Sequence, residues 1–406
     1  MTSSHVGPRI GIAGAGLLGR LLAWRLARAG AQVQVFDPAR DAGPVFRSEA
    51  VDDAAYAPTA AAFTAAGMLS PLAELDNAEP AQAALGWRSI ALWRQIAAAL
   101  PDHPFFRVEG SLMLAHRADM GAAQRILDRL RAATATEDWR AVSPYADVEP
   151  LDTSALRALE PSIQGPAHAW LLPGEGQIDT VAMMSALHRD APGVQWHWAT
   201  PVAALHRQGQ GGALTLADGR ALAFDQVIDA RGVGAKSAHP AEQNASPISS
   251  VRGEDLGQDA SPIFNVRGVR GEVVWLHCPG HGLTRPARLL HPRHRVYMVP
   301  RPGDLLLVGA SEIETEDRSP ASLRSVVELL AAAHSALPAL AEARILRLDV
   351  NLRPALPDNN PRIETDGPLL RINGLFRHGW LLAPALVDQA LRQSGWLPQG
   401  LELEPA

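Results

Sequence analysis

Apolar residues near the start of the chain change from the spacing of a strand to the spacing of a helix and back. The mostly apolar run 10–13 predicts a β-strand, and the leucines within 18–26 recur on one helical face. Gly30 is expected to end that helix, and residues 33–36 predict a second strand that stops at Asp37. This order of elements predicts a βαβ unit.

A glycine motif occupies the turn between the first strand and the helix. Gly14-x-Gly16-x-x-Gly19 indicates a dinucleotide-binding turn when a strand precedes it and a helix follows. Gly14 allows the turn, Gly16 lets backbone approach a pyrophosphate, and Gly19 lets the helix pack closely on the strand. Asp37 lies near the spacing expected for a carboxylate that accepts from ribose hydroxyls. The motif leaves NAD and FAD open, with a purely structural turn as the alternative.

The same patterns predict a mixture of helices and strands further along the chain. Helices are predicted at about 82–100, 118–133, 180–191, 323–334 and 383–391. A hairpin or a pair of strands is predicted over 105–115 around Gly110, and a buried strand that ends in a glycine turn over 224–232. Further strands are predicted at 194–199, 202–206, 272–276, 295–299, 305–309 and 370–372. The nucleotide-type α/β pattern appears at both ends and in the middle, which predicts two domains interleaved in sequence.

This interleaving gives explicit boundaries. The dinucleotide-binding domain is predicted to be discontinuous and the substrate domain to be built from insertions. The first comprises 1–75, 160–235 and 346–406, and the second 76–159 and 262–345. Residues 240–262 are rich in Ser, Pro, Asp and Gln, which predicts an exposed loop.

Composition restricts the class of protein. The chain has 406 residues, 47% of them hydrophobic and 20% charged, as expected of a globular protein with two sizeable cores. The net charge of −6 argues against a nucleic-acid-binding surface. Cys278 is the single cysteine, which excludes an intrachain disulfide framework and suits a reducing cytosol. No transmembrane run and no signal peptide is recognised, so the sequence predicts a cytoplasmic protein.

Five groups of residues are informative together. They are the glycine motif with Asp37, the segments 65–71 and 227–232, the segment 297–301 with 308–310, and the segment 352–358 with 376–384. In order and spacing they resemble the FAD-dependent amine oxidases of the D-amino-acid oxidase type, and best of all the glycine oxidases of thiamine biosynthesis. The resemblance implies FAD as the cofactor. It also implies a mixed α/β fold, in which a Rossmann-like FAD-binding domain is interleaved with a β-rich substrate domain.

The resemblance also implies which residues contact FAD. In addition to the glycine motif and Ala15, they are Leu17, Leu18, Asp37, Ala61, Ala62, Ala66, Gly67 and Met68. From local sequence alone, the small residues over 60–68 fit either backbone packed against a flat ligand or the start of an alanine-rich helix. Val202 is implied to hold the adenine end through its backbone. Leu375, Phe376, Arg377, His378, Gly379, Trp380 and Leu381 are implied to line the pyrimidine side of the flavin at a helix N-terminus.

Three residues are implied to face the substrate: Tyr297, Arg353 and Arg377. A guanidinium makes two parallel hydrogen bonds to a carboxylate and fixes its plane, and a tyrosine hydroxyl adds a third contact. The alternatives are a salt bridge at Arg353, a buried strand tyrosine at Tyr297, and protein carboxylates as partners of Arg377. No residue is assigned a catalytic role, because the cofactor carries the hydride chemistry. No cluster has metal-ligand spacing.

The function implied by the resemblance is oxidative deamination of a small amino acid, glycine first, with dioxygen as electron acceptor and a role in thiazole formation for thiamine. One alternative is a dehydrogenase of D-amino acids, sarcosine or proline that passes electrons to a carrier. A tRNA-modifying flavoprotein is disfavoured by the acidic balance. A non-catalytic FAD-binding protein is the alternative from another class, and the pair Tyr297 and Arg353 argues against it. The sequence leaves open whether the chain forms a homo-oligomer.

Overall fold

A computed structural model describes residues 7–45, 59–75, 80–137, 139, 148–236, 265–290 and 295–396. The structure is a mixed α/β fold, as the sequence predicted. The loop predicted over 240–262 lies outside the described residues. No helix within the described ranges is both long enough and apolar enough to cross a membrane.

Strands account for much of the described chain. In chain order they are β1 (Arg9–Ala13), β2 (Gln32–Phe36), β3 (Met68–Leu69), β4 (Phe106–Arg107), β5 (Ser111–Ala115), β6 (Glu149–Leu151), β7 (His168–Leu172), β8 (Gly176–Ile178), β9 (Gln195–His197), β10 (Val202–Gln208), β11 (Gly211–Leu216), β12 (Ala221–Phe224), β13 (Gln226–Asp229), β14 (Arg267–His277), β15 (Ala287–Leu290), β16 (Arg295–Arg301), β17 (Leu305–Gly309), β18 (Arg344–Ala355), β19 (Arg362–Asp366) and β20 (Leu369–Asn373).

Helices connect and cover these strands. They are α1 (Leu17–Arg28), α2 (Ala61–Thr64), α3 (Pro71–Glu74), α4 (Pro80–Ala99), α5 (Met120–Thr134), α6 (Thr153–Leu159), α7 (Thr180–Arg189), α8 (Leu323–Ala336) and α9 (Gly379–Ser394). Short 3-10 turns occur at Arg117–Asp119, Gly232–Ala235, Pro338–Glu342 and Phe376–His378.

Two large sheets organise the fold. The first has the order β19-β20-β13-β1-β2-β9, with every neighbouring pair parallel except β19 with β20. The second has the order β18-β14-β17-β16-β15-β5-β7-β6 and is antiparallel except between β15 and β5. Two three-stranded sheets, β10-β11-β12 and β3-β8-β4, complete the arrangement. The parallel pair of β1 with β2 is the βαβ unit that the sequence predicted.

Each large sheet has its own hydrophobic core. The larger cluster joins β1 and β2 to apolar residues of α1, α4, α7 and α9, among them the fully buried Trp24 and Trp93. The second cluster packs α8 against the eight-stranded sheet through residues such as Leu329 and Ala333. Burying each sheet face under helices is what the alternation of strand and helix patterns requires.

The domain boundaries stay a prediction, although the two large sheets do alternate along the chain. Strands β7 and β18 belong to the eight-stranded sheet, whereas the predicted boundaries group β7 and most of β18 with the FAD-binding segments. Strand β18 pairs with β14 along its whole length, and β7 pairs with both β5 and β6. Their partners are therefore set by contacts between distant segments, which composition does not reveal.

One local prediction was wrong. The two strands within 105–115 form neither a hairpin nor a pair, because β4 pairs with β8 while β5 pairs with β7 and β15. Gly110 does adopt a left-handed turn conformation, with φ of 86°, but that turn leads from one sheet to another. The buried strand that ends in a glycine turn, predicted over 224–232, is confirmed as β13 followed by Gly232 with φ of 57°, although Phe224 belongs to the end of β12. A turn residue shows that the chain bends, and distant contacts choose the strand partner.

Helix α9 begins four residues earlier than predicted, at Gly379, and contains Pro384. Proline has no N–H and cannot bond to the carbonyl four residues earlier. That carbonyl, of Trp380, instead accepts a hydrogen bond from the Trp93 indole at 2.7 Å. The next amide, of Ala385, donates to Ser89 Oγ at 3.2 Å. Helix α4 thus supplies partners around the proline, and a helix that Pro384 would otherwise weaken is held in place.

Candidate active site

A cavity of about 1190 Å³ lies between the first sheet and the eight-stranded sheet. Its walls include the residues that directly follow β1, β2 and β13, which are Gly14, Asp37 and Ala230. Ligands of parallel α/β sheets bind at this carboxyl end of the strands. The cavity also reaches Tyr297 and Arg353 of the eight-stranded sheet. One cavity therefore joins a nucleotide-type site to a site lined by charged side chains.

The glycines of the first turn differ in what they make possible. Gly14 has φ of 102°, and a Cβ there would lie 2.6 Å from the Ala230 carbonyl oxygen. A Cβ on Gly19 would lie 1.8 Å from the Gly14 carbonyl oxygen, so helix and turn pack too closely for a side chain. Gly16 lines the cavity, and a Cβ there would approach only Ala60 Cβ, at 3.8 Å. Space for a ligand, and not backbone strain, explains the glycine at 16.

Asp37 closes the turn from the other side. Its Oδ2 accepts from the Ala15 amide at 2.6 Å and its Oδ1 from the Ala39 amide at 2.8 Å. Each carboxylate oxygen keeps a further lone pair for a ligand hydroxyl. Ala15 and Gly19 themselves do not line the cavity, so they shape the turn without facing its contents. Leu17 and Leu18 do line it, at the uncapped N-terminus of α1.

Val202 lines the cavity beside Arg231. Its carbonyl oxygen accepts from Arg231 Nη1 at 2.9 Å, and Arg231 also forms an ion pair with Asp229 at 2.7 Å. The carbonyl of Val202 is therefore already engaged by the protein. A contact of the Val202 backbone with adenine stays a prediction.

The small-residue segment crosses the cavity as a short helix followed by extended backbone. Ala61 and Ala62 belong to α2, and Ala66, Gly67 and Met68 follow it, all of them lining the cavity. The predicted helix start is therefore confirmed, and packing of this backbone against a flat ligand stays a prediction. Gly67 has φ of 66°, and a Cβ there would lie 2.2 Å from the Ile178 carbonyl oxygen.

The buried side chain of Arg301 holds the backbone of the small-residue segment in place. It is 5% exposed and donates to the carbonyl oxygens of Ala66 and Ile178. Its Nη1 also donates to Gln177 Oε1 at 2.9 Å. Burial lowers the pKa of Arg301 to about 10, so the guanidinium stays charged at neutral pH. A buried cation thus holds the backbone beside the cavity through carbonyl oxygens.

The N-terminal end of α9 forms another wall. Seven consecutive residues, which the resemblance assigns to the flavin, line the cavity there: Leu375, Phe376, Arg377, His378, Gly379, Trp380 and Leu381. The Trp380 indole donates to the Ala62 carbonyl at 3.0 Å and ties the helix to α2. A helix N-terminus carries partial positive charge and unpaired N–H groups, which favour negative charge on a bound ligand.

Tyr297 and Arg353 lie at the substrate end, each above a glycine of the neighbouring strand. Tyr297 pairs with Gly309, and a Cβ on that glycine would lie 2.6 Å from the tyrosine hydroxyl oxygen. A Cβ on Gly271 would lie 2.5 Å from the Arg353 guanidinium carbon. The two glycines therefore provide the space that both side chains occupy. Burial raises the pKa of Tyr297, so its hydroxyl is a neutral donor.

Arg353 is held by backbone alone. Its Nη1 donates to the Arg270 carbonyl at 3.3 Å and its Nη2 to the Ser311 carbonyl at 3.1 Å. No carboxylate among the described residues forms an ion pair with it. Burial lowers its pKa, while Tyr297 and Glu312 oppose that shift. The geometry provides a half-buried guanidinium that faces the cavity without a protein carboxylate of its own.

Arg377 differs, because its partners are protein carboxylates. Its Nη2 donates to Glu74 Oε2 at 2.9 Å, and its Nη1 lies 3.5 Å from Glu312 Oε2. Glu74 also pairs with Arg288 at 2.8 Å and lies 3.4 Å from His378 Nδ1. Arg377 and Arg288 hold the pKa of Glu74 well below its usual range against the effect of burial. Burial lowers the pKa of His378, with Glu74 opposing, so the ring is neutral at neutral pH.

Glu74, Arg288 and Glu312 were not predicted from the sequence. Arg288 stands next to Tyr297 because β15 and β16 pair at these positions. Glu74 comes from α3 and Glu312 from the segment after β17. One available signal was a single arginine inside the apolar run Ala287–Leu290, where a charged residue needs a buried partner.

Comparison with known proteins matches this chain to the DAO family, described as FAD dependent oxidoreductase, over residues 9–388. A Rhizobium etli protein assigned by name as the thiamine biosynthesis oxidoreductase ThiO is 33% identical over 386 residues, covering 95% of this chain and 96% of that protein. A glycine oxidase of Bacillus licheniformis is 28% identical, covering 92% and 89%. The structure of glycine oxidase from Geobacillus kaustophilus superposes with a TM-score of 0.73 at 23% identity, covering 98% of each chain.

Proposed function

The chain belongs to the DAO family of FAD-dependent oxidoreductases, and we propose that it oxidises small amino acids, with glycine as the main substrate. The reaction converts glycine, dioxygen and water to glyoxylate, ammonia and hydrogen peroxide. The names of the Bacillus licheniformis and Rhizobium etli relatives support this substrate and this kind of chemistry.

The observation that carries the proposal is Arg353. A buried charge without a counter-ion is costly, and a substrate carboxylate would supply the missing partner. Its guanidinium faces the cavity next to the Tyr297 hydroxyl. Together they present a planar pair of donors and a neutral O–H to one carboxylate. Arg377 contributes positive charge nearby, but Glu74 and Glu312 already occupy its donors.

The residues at the other end of the cavity fit FAD. The space left by the missing side chain of Gly16, together with the uncapped N-terminus of α1, would accept the pyrophosphate. Asp37 would accept from ribose hydroxyls, and the Val202 backbone would lie near adenine. The segments Ala61–Met68 and Leu375–Leu381 would hold the ring system between α2 and the N-terminus of α9. These contacts are part of the proposal.

Positioning is the chemical task of the protein side chains. Bound FAD would supply the redox chemistry, oxidation of the amine with dioxygen as the final electron acceptor. Arg353 and Tyr297 hold the carboxylate, which limits how the α-carbon can be turned. The uncapped end of α9 favours negative charge at the ring end of the site. The imine that leaves is hydrolysed to glyoxylate and ammonia, or is consumed in thiazole formation for thiamine, the pathway named for the Rhizobium etli relative.

Peroxide release tests the proposal. The purified protein should contain non-covalently bound FAD and release peroxide with glycine, sarcosine and D-alanine, fastest with glycine. The same panel with an artificial dye acceptor separates an oxidase from a dehydrogenase. Flavin reduction by glycine without peroxide release in air would contradict dioxygen as acceptor, and no reduction by any amino acid would contradict the function. Light scattering after gel filtration decides whether the enzyme is a homo-oligomer.

A further inference from the structure

Charged side chains of both signs line the substrate end of the cavity. They are Arg288, Arg353 and Arg377 with Glu74 and Glu312, and, further along the wall, Arg318 and Arg324 with Glu328. Glu74 is engaged by two of the arginines and by His378. Arg353, by contrast, forms no ion pair with a carboxylate in the part of the chain that the structure describes, and it can take a substrate carboxylate.

Glu312 is more exposed than Glu74 and is held less closely by Arg377. Its side chain is 47% exposed, against 11% for Glu74, and its contact with Arg377 is a long 3.5 Å. Its backbone is nonetheless fixed on both sides. The Ser311 amide donates to the Glu272 carbonyl at 3.2 Å, and Ile313 exchanges two 3.0 Å backbone bonds with Arg270. The carboxylate is therefore kept at the cavity wall.

The same segment is tied to the proposed carboxylate-binding group. Arg353 Nη2 donates to the carbonyl oxygen of Ser311, the residue directly before Glu312. A substrate held by Arg353 would therefore lie close to the Glu312 carboxylate. A second carboxylate on that substrate would be repelled by Glu312.

We propose that Glu312 makes the cavity selective for amino acids with a single carboxylate, by repelling a second one. This inference rests on the proposed function and adds a specificity-determining residue to it. The disfavoured class comprises dicarboxylic amino acids, whether the second acid is attached to the nitrogen, as in iminodiacetate, or to the α-carbon side chain, as in D-aspartate.

The test compares wild type with Glu312→Gln, which keeps the shape and removes the charge. Binding of acetate and of malonate to the oxidised holoenzyme is measured from the change in flavin absorbance, without turnover. We expect Glu312→Gln to raise the affinity for malonate relative to acetate by about 10-fold, the scale of one like-charge repulsion in a partly solvated site. The kcat/KM ratio of iminodiacetate to glycine, or of D-aspartate to D-alanine, should rise similarly.

Two variants serve as controls. Glu314→Gln removes a charge two residues away, from a glutamate that is 63% exposed, pairs with Arg267 and does not line the cavity. It should leave both ratios unchanged. Glu312→Asp keeps the charge, so both ratios should stay close to those of wild type. Unchanged ratios in Glu312→Gln, with acetate binding and glycine oxidation intact, would overturn the inference alone. If wild type neither binds acetate nor oxidises glycine, the proposed function fails and this inference fails with it.

Discussion

The two ends of the cavity present different chemical groups to a ligand. At the nucleotide end, the N-terminus of α1 and the cleared space at Gly16 present mainly backbone, supported by the single carboxylate of Asp37. At the substrate end, charged side chains such as Arg353 and Arg377 face the cavity. Backbone donors do not titrate and cannot be substituted, so only a steric change removes them. Charged side chains respond to substitution and to pH, which allows specificity to change without loss of the cofactor.

The largest effect is expected for Gly16→Val, which tests the role of backbone at the nucleotide end. Backbone at position 16 has φ of −71° and ψ of −167°, which any residue adopts, and an added Cβ would approach only Ala60. The chain should fold, while the side chain fills the space needed by the pyrophosphate. We expect complete loss of bound FAD, measured from the absorbance of the purified protein, with a circular dichroism spectrum like that of wild type. Full flavin content would show that this turn is not the pyrophosphate site.

The next largest effect should follow Arg353→Ala at the opposite end. Losing a charge-assisted bidentate contact costs roughly 2–4 kcal/mol, or about 30- to 1,000-fold in kcat/KM for glycine. Arg353→Lys should recover only part, since an ammonium lacks the planar pair of donors. FAD content should remain that of wild type in both variants. Stopped-flow reduction of the flavin by glycine without oxygen isolates the step, and wild-type kinetics in Arg353→Ala would rule out this role.

The two ends also differ in how far the sequence predicted them. At the nucleotide end the turn, the helix and Asp37 lie within 24 consecutive residues, counting from Gly14 to Asp37, and local pattern was sufficient. The motif nevertheless grouped residues with different tasks. Gly14 and Gly16 line the cavity, whereas Ala15 and Gly19 shape the turn behind it.

At the substrate end, the residues come from segments far apart in sequence. Tyr297 and Arg353 were identified through the resemblance, and Arg288 was missed although it pairs directly with Tyr297. Glu74 and Glu312 come from α3 and from the segment after β17, and no local pattern brings them together. Pairing of strands and packing of helices decide such contacts, and both depend on the whole fold. The alternative noted for Arg377, pairing with protein carboxylates, is what the structure shows.

The stability of the folded protein is also expected to depend on pH, because a buried carboxyl group lies close to the substrate end. Glu175 is fully buried, accepts from the Ala73 amide at 2.8 Å and bonds to Ser111, and burial raises its pKa to about 7. The folded state therefore holds this proton more tightly than the unfolded state. The stabilisation it gives is complete below the unfolded pKa and is lost as pH rises through about 7.

Glu175→Gln removes this titration and keeps a hydrogen-bonding side chain of the same size. Relative to the variant, wild type should lose up to about 3 kcal/mol of unfolding free energy between pH 4.5 and pH 8. Urea midpoints of the two holoenzymes, measured across that range, give the difference. Parallel curves for both proteins would show that Glu175 does not titrate there. FAD content should be the same in both, since Glu175 does not line the cavity.

The smallest expected effect tests whether the space above Gly271 positions Arg353. A Cβ there would lie 2.5 Å from the guanidinium carbon. The obstacle is the far end of a flexible side chain, so Gly271→Ala should fold and shift the guanidinium instead of the strand. We expect KM for glycine to rise about 10-fold, as for the loss of about 1.4 kcal/mol of binding, with FAD content unchanged.

A double-mutant cycle distinguishes this role from a general disturbance of β14. If Gly271 acts through Arg353, adding Gly271→Ala to Arg353→Ala should cause no further loss of kcat/KM, because the displaced group is already absent. If the two losses add, the glycine serves the strand and not the arginine. Gly121→Ala, at a helix position where an added Cβ meets nothing within 4 Å, provides the matched glycine control and should leave KM unchanged. Additive losses, or a KM that does not rise in Gly271→Ala, would show that the guanidinium does not depend on this space.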